Sequence, residues 1–387
     1  MPHVIVFQPV WMVAVVFVVM AAPAAAEPPE VTLSRLPQDA YQPQVVEDEA
    51  GTRHLIYATG DPAAADVYYV RVGETGESSK PIRVNSQAGS ALPIGTVRGA
   101  HLAVDGDGRP HVAWMGSQQA EPKGPDGATP MLYARLNDAG EAFEPQRNVL
   151  QHAVPLDGGG TIAANSESRV YIAWHAGGEG EVDRRIWIAR SEDNGRTFDR
   201  EEAVSPADTG VCACCGMAAL ADGDRVWLAY RAATESVHRD IYLLSSDDAG
   251  GTFEHATRAH QWHLQMCPMS TIDLLRHGGQ TWLAWETEEQ VYFARFDDAG
   301  QMIGEPISPP GEANGRKHPR LAVNDAGQLL LVWTEGTGWN RGGNLAWQVY
   351  DRDLQPIRQA HGRAEGIPVW SFATPIARPN GGFEIIY

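Results

Sequence analysis

Short apolar runs that end in an aromatic residue recur seven times along the chain, as HLIY, HVAW, YIAW, WLAY, WLAW, LLVW and EIIY. The closing aromatics are Tyr57, Trp114, Trp174, Tyr230, Trp285, Trp333 and Tyr387, and subtracting neighbours gives spacings of 57, 60, 56, 55, 48 and 54 residues. The stretch from Gly99 to Leu150 shows the unit most clearly. GAHLAVDGDG predicts an inner strand running into a turn, RPHVAW a second strand, MLYARLNDAG a third strand and turn, and Pro145 to Leu150 a short outer strand. Alternation interrupted at short intervals by Asp-Gly turns argues for antiparallel hairpins. The same order recurs from Thr161, Met217, Thr271 and Pro319, and a first unit begins near Gln44. A period of about 50 residues built from short strands is the mark of a β-propeller.

The seventh unit is incomplete. TPIARPNGGFEIIY, from Thr374 to Tyr387, supplies two strands, whereas VTLSRL, from Val31 to Leu36, belongs to no unit of its own. Pairing these ends would remove an open sheet edge and close the ring. The expected fold is therefore all-β: a propeller of four-stranded antiparallel blades, seven in number with the last one short, closed by N- and C-terminal strands. Six blades with an appended hairpin is the alternative. The propeller is expected to occupy residues 27–387 as one domain.

Charge and the N-terminus narrow the setting. The net charge is −19, and the lysines are Lys80, Lys123 and Lys317 alone. Such a surface repels nucleic-acid phosphates and anionic lipid. Residues 4–25 are apolar except for Gln8 and run into Pro23-Ala24-Ala25-Ala26. This reads as a signal peptide, residues 1–26, cleaved after Ala26, although no Lys or Arg precedes the apolar run; an uncleaved anchor is the rival reading. The mature protein is expected in the periplasm or outside the cell, free of the membrane, where disulfides form.

Two turns after third strands, Ser191-Glu192-Asp193-Asn194-Gly195-Arg196-Thr197-Phe198 and Ser246-Asp247-Asp248-Ala249-Gly250-Gly251-Thr252-Phe253, fit S-x-D-x-G-x-T-F. Weaker copies stand at Asn137-Asp138-Ala139-Gly140 and Asp297-Asp298-Ala299-Gly300. The motif resembles the Asp-box, or BNR repeat, of the sialidase superfamily, in register with the aromatic repeat over nearly the whole chain after residue 26. The box itself is structural, since Ser and Asp can hold turn backbone, Gly permits positive φ and Phe packs between sheets. The resemblance implies a ligand site on the opposite face, made by loops entering inner strands and leaving second strands. It also implies three arginines clamping a carboxylate, a Tyr–Glu nucleophile pair and an Asp acid/base. Arg98, Arg231 and Arg320 are the candidate clamp and Glu286 the candidate carboxylate; no Tyr–Glu pair or acid/base Asp stands out. The plainer reading of these arginines is ion pairing on an acidic surface. Along the same face, His101, His175, His318, Arg239, Asp240 and Trp370 are candidate ligand contacts. Their alternatives are structural histidines, a local ion pair, and tryptophans (Trp339 as well as Trp370) that cap the propeller rather than stack on a sugar.

All four cysteines fall in two equivalent loops of that face. Cys212, Cys214 and Cys215 lie in GVCACCGM, before the fourth inner strand, and Cys267 in HLQMCPMS, before the fifth. Two disulfides are one reading, in any of three connectivities: Cys212–Cys267 would leave a strained Cys214–Cys215 vicinal bridge, while Cys212–Cys214 and Cys215–Cys267 are also possible. A soft-metal site is another, because Met217, Met266 and Met269 flank the cysteines; thiolate and thioether select Cu(I), and Cys/His sets suit zinc. A redox-active thiol pair is the third. Three functions follow: a propeller that binds or hydrolyses a glycan or small ligand on the cysteine-bearing face, a copper- or zinc-binding protein, or a non-catalytic scaffold for a protein partner stapled by disulfides.

Overall fold

In a computed structural model, Met1 and residues 27–73, 77–312 and 315–387 are described. The apolar N-terminal segment, with its expected cleavage after Ala26, lies outside these residues. The inner strands of the seven blades, I to VII, are Ala40–Glu47, His101–Val104, Leu156–Ala164, Ala218–Asp222, Ile272–His277, Arg316–Val323 and Thr374–Ala377. Each inner strand contacts those on both sides, and the series closes on itself. Blades I to VI are four-stranded and antiparallel. Blade VII has three strands: Thr374–Ala377, Phe383–Ile386 and, pairing in parallel with the latter, Val31–Ser34. The expected closure is thus present, and seven blades replace the six-blade alternative. Among the described residues the one helical element is the short turn Pro125–Gly127, and no helix is long and apolar enough to cross a membrane.

The second strands explain the repeat. Pro110–Met115, Val170–Ala176 and Leu329–Glu335 are buried along their whole length, because a neighbouring blade covers each face. A strand covered on both faces reads as a continuous apolar run. Trp114, Trp174 and Trp285 are fully buried at the ends of such strands. Trp114 and Val112 of blade II share a cluster with Ile56 of blade I, and Trp227 of blade IV with Trp285 of blade V. Each such aromatic removes on the order of 150–250 Å² from water and ties two blades together.

The two full Asp-boxes are superimposable networks. Ser191 Oγ donates to Asp193 Oδ1 at 2.8 Å and accepts from Gly195 N at 2.9 Å, while Thr197 N and Oγ1 donate to the Asp193 carboxylate at 2.8 and 2.6 Å. In blade IV the same contacts measure 2.7, 2.9, 2.8 and 2.9 Å, through Ser246, Asp248, Gly250 and Thr252. Gly195 and Gly250 hold φ of 71° and 76°, which a side chain would strain. Phe198 and Phe253 pack against the clusters between blades.

Partial burial pushes the Asp193 carboxyl up, but hydrogen bonds from Thr197 and Ser191 outweigh it and bring it down to about 2. The hydrogen bond from Ser246, with those from Thr252, brings Asp248 to about 2 as well. A folded value below the ordinary carboxylate value of about 3.9 adds stability that is present above that pH and lost as pH falls towards 2. Asp193→Ala and Asp248→Ala are each expected to cost about 1 kcal/mol at pH 7. Denaturant titrations at pH 7 and pH 2.5 (~2.5, between the two carboxylate values) should show the gap from the parent chain closing at the acid end.

Candidate functional site

The face opposite the Asp-boxes is shaped by irregular inner strands. Register shifts interrupt the pairing at Tyr41/Gln44, Leu156/Gly160 and Lys317/Arg320. At the first, Gln42 holds φ of 55° and its amide Nε2 donates to the carbonyls of Pro93, Gly95 and Trp370, while its backbone N–H donates to Ser371 Oγ. One residue of blade I therefore staples the loops leading to blades II and VII across the channel mouth. Gln44, His101, Met217 and Arg320 meet there, and the space left between them is about 10 Å³. Burial, then Arg320, lowers His101 to about 3, so this histidine is neutral.

Beside the plugged channel lies a cleft of about 220 Å³ lined by Lys317, His318, Trp339, Arg341, Trp370 and Cys267, among others. Met269, His318 and Trp370 in its wall all carry positive φ, of 49°, 54° and 55°. Left-handed backbone at bulky residues persists only where surroundings over-determine it, and it clusters at ligand clamps. His318 Nδ1 shares a 2.8 Å hydrogen bond with Thr334 Oγ1, and burial holds its imidazole neutral, well below its ordinary value. The Trp339 and Trp370 rings stand 5.2 Å apart at 57°, with Trp339 54% exposed.

Behind the cleft, Lys317 Nζ sits 3.0 Å from Glu286 Oε1 and donates to the Pro268 carbonyl at 3.0 Å. Glu286 is buried, and its Oε2 has no hydrogen-bond partner. Burial pushes its carboxyl up to about 7 against the pull of Lys317. The structure thus places the sequence-predicted Glu286 beneath the cleft floor rather than in it.

The cysteine loops converge on the same side. Cys214 and Cys267 form a disulfide, while Cys212 and Cys215 are buried thiols with sulfurs 3.1 Å apart. This differs from every pairing singled out from the sequence. The turn in which Cys215 N–H donates to the Cys212 carbonyl folds Cys215 back onto Cys212 and leaves Cys214 to meet Cys267. Burial pushes the Cys215 thiol up, but the hydrogen bond from Cys212, Arg231 and Ser270 outweigh it and bring it to about 6; sharing that contact drives Cys212 upward. His175 Nε2 lies 3.2 Å from the Cys215 carbonyl, and burial lowers the ring to about 4. Gly158, at φ of 78°, lets the turn approach, since a Cβ there would strike the Ala213 carbonyl and the His175 ring. Met217 is core, Met266 is 65% exposed, and Met269 lines the cleft.

None of the three candidate arginines lines the cleft. Arg98 pairs with Asp157 at 3.3 Å and Arg320 with Asp273 at 2.9 Å. Arg231 is 1% exposed and gives its nitrogens to Ser270 Oγ and to the carbonyls of Arg239 and Glu286. Arg239 pairs with Glu181 at 2.8 Å, and Asp240 Oδ1 accepts from the Trp262 N–H, so both are internal struts. Arg35 packs over the Tyr387 ring at the ring closure. Sequence reasoning missed Lys317 and Arg341 as cleft residues; the scarcity of lysine in so acidic a chain was the available signal for Lys317.

No family model matches the chain, and no curated protein matches it in sequence. Among solved structures, a polysaccharide lyase, an ulvan lyase, aligns with a TM-score of 0.55 and 14% identity over 87% of this chain and 86% of that one. An α-L-arabinanase from Penicillium chrysogenum, complexed with arabinobiose, aligns with a TM-score of 0.51 and 13% identity over 81% and 94%. A sialidase from Streptococcus pneumoniae aligns with a TM-score of 0.45 and 11% identity over 89% and 64%. All are β-propellers, and the likenesses to the lyase and the arabinanase support the propeller fold and nothing finer.

The raised Glu286 carboxyl makes a pH prediction. A folded value near 7, above the ordinary value of about 4.3, gives stability that is full below that lower pH and lost as pH rises through 7. Glu286→Gln should remove this slope, so that denaturation midpoints of the parent and variant converge at about pH 4 and the variant is no less stable at about pH 8. Equal slopes for the two chains would show that Glu286 is charged throughout.

Proposed function

We propose that the protein binds an acidic glycan in the cleft lined by Trp339, Trp370, Lys317 and Arg341. The observation that carries this reading is the pairing of two indoles with two cations in one recess of a chain whose net charge is −19. Indole faces stack on the C–H faces of a sugar ring, and Lys and Arg hold a carboxylate or sulfate. At about 220 Å³ the cleft falls below the roughly 300–1,000 Å³ of drug-sized sites and suits one or two sugar rings, with the rest of a chain lying outside. The propeller likeness to an ulvan lyase solved with a -[GlcA(1-4)Rha3S]- ligand supports the glycan class. The site belongs to an exported protein, in keeping with the apolar N-terminal run and the Cys214–Cys267 disulfide.

Of the groups that could carry a proton, Lys317 reaches the cleft and is backed by Glu286 beneath its floor. Hydrolysis through a clamp of Arg98, Arg231 and Arg320 is not part of this reading, because each is held by internal partners.

Calorimetric titration with uronate-bearing, sulfated, sialylated and neutral oligosaccharides tests the proposal. Acidic oligosaccharides should bind, with affinity falling as salt rises; Trp339→Ala should weaken binding at least tenfold and Lys317→Met at least fivefold, about 1 kcal/mol or more each. Preference for neutral sugars, or binding indifferent to Trp339→Ala and Trp370→Ala together, would overturn it.

A further inference from the structure

We propose that the two cysteine loops form a redox-gated site for one soft monovalent cation, Cu(I), with Cys212, Cys214 and Cys267 as ligands. The sulfurs of these three residues all lie within 4.8 Å of one another, and Cys212 Sγ stands 3.6 Å from Cys214 Sγ. Three sulfurs each about 2.3 Å from a common metal stand roughly 4 Å apart. Cys212 and Cys214 thus already stand near ligand spacing, and breaking the Cys214–Cys267 bond is what would let the third sulfur part to the same distance. A cation of this kind prefers thiolate and thioether donors, and Met269, two residues past Cys267, faces the adjoining cleft.

A second observation points the same way. Arg231 is fully buried, yet its three nitrogens all go to neutral oxygens: Ser270 Oγ at 2.8 Å, the Arg239 carbonyl and the Glu286 carbonyl. A buried guanidinium needs a counter-charge. Ser270 Oγ, which accepts from Arg231, also contacts Cys215 Sγ at 3.5 Å, and that sulfur lies 3.1 Å from Cys212. Ser270 thus links the guanidinium to Cys215, the immediate neighbour of the ligand Cys212. A cation beside the cysteine pair lowers the cost of holding anionic sulfur in a buried site.

The steps balance without a change in the metal. A thiol-class reductant supplies two electrons to the Cys214–Cys267 bond and leaves as its own disulfide, giving two thiols. Cu(I) then displaces one proton from each of Cys212, Cys214 and Cys267 and forms three Cu–S bonds. Entry is from the cleft side, since Cys267 is exposed, Cys214 half-buried and Cys212 buried. In the disulfide form two of the three ligands are tied up, and the site is closed.

The test uses the full chain under anaerobic conditions, titrated with Cu(I) against a chromophoric Cu(I) chelator, with and without prior reduction by a phosphine. The reduced chain is expected to take one equivalent at least tenfold more tightly than the oxidised chain, in which Cys212 is the one free ligand of the three. X-ray absorption should report three sulfur neighbours. Cys212→Ser and Cys267→Ser should each lower uptake by the reduced chain at least tenfold; Cys267 is exposed, so its variant is expected to fold. No uptake by the reduced chain, equal uptake by the oxidised chain, or uptake unchanged in Cys267→Ser would each overturn the proposal. Glycan binding plays no part in this readout, so its failure and the failure of the glycan reading are separable.

Discussion

Ring closure by four N-terminal residues is the constraint on which the rest depends. Val31–Ser34 lies in register with Phe383–Ile386, and the flanking backbone bonds from Phe383 to Glu30, from Tyr387 to Ser34 and from Leu36 to Tyr387 extend the pairing at both ends. Without that strand blade VII would be a bare hairpin with an open edge, marginal by itself. Arg53 of blade I adds a 2.9 Å ion pair to Glu384 in the closing hairpin. A propeller spreads its core over blade interfaces, so the loss of one interface opens the whole ring. The channel mouth inherits this closure directly, because Gln42 bonds at once to the loop before blade II and to the Trp370–Ser371 segment before blade VII.

The cysteine cluster and the cleft sit side by side and are linked by structure. Cys267, Pro268 and Met269 form one wall of the cleft, and Lys317 is anchored to the Pro268 carbonyl while pairing with Glu286. Glu286 in turn lends its backbone carbonyl to Arg231, which Ser270 links to Cys215. Blades IV, V and VI thus share one chain of polar contacts running from the sulfur cluster to the cleft floor. A change at either end alters the electrostatics of the other in a buried setting, where screening is weak.

The fold was legible from the sequence, because the property repeated along the chain is the one the fold demands. Second strands covered on both faces must be apolar throughout, and their terminal aromatics fill the wedge between blades, so the period survives wide variation elsewhere. The Asp-boxes were legible for the same reason: four side-chain contacts within eight residues leave little freedom. The site was legible only in location. Arg98 and Arg320 stood out as candidates, yet the partners that decide their surroundings, Asp157 for Arg98 and Asp273 for Arg320, come from neighbouring strands that no local pattern identifies. The disulfide pairing escaped because it turns on a single backbone hydrogen bond, which rotates Cys215 inward and Cys214 outward. Lys317 and Arg341 escaped because the cleft joins loops from blades separated by long stretches of chain, and bulged, left-handed backbone at His318 and Trp370 has no plain sequence signature.

The convergence of the two cysteine loops is the claim most directly open to measurement. Protein isolated without reductant can be alkylated under denaturing conditions, digested, and mapped by mass spectrometry with fragmentation that locates each sulfur. One cross-link joining Cys214 to Cys267, with Cys212 and Cys215 both alkylated, is the predicted result. A bond from Cys267 to Cys212 or to Cys215, or four alkylated cysteines, would contradict it.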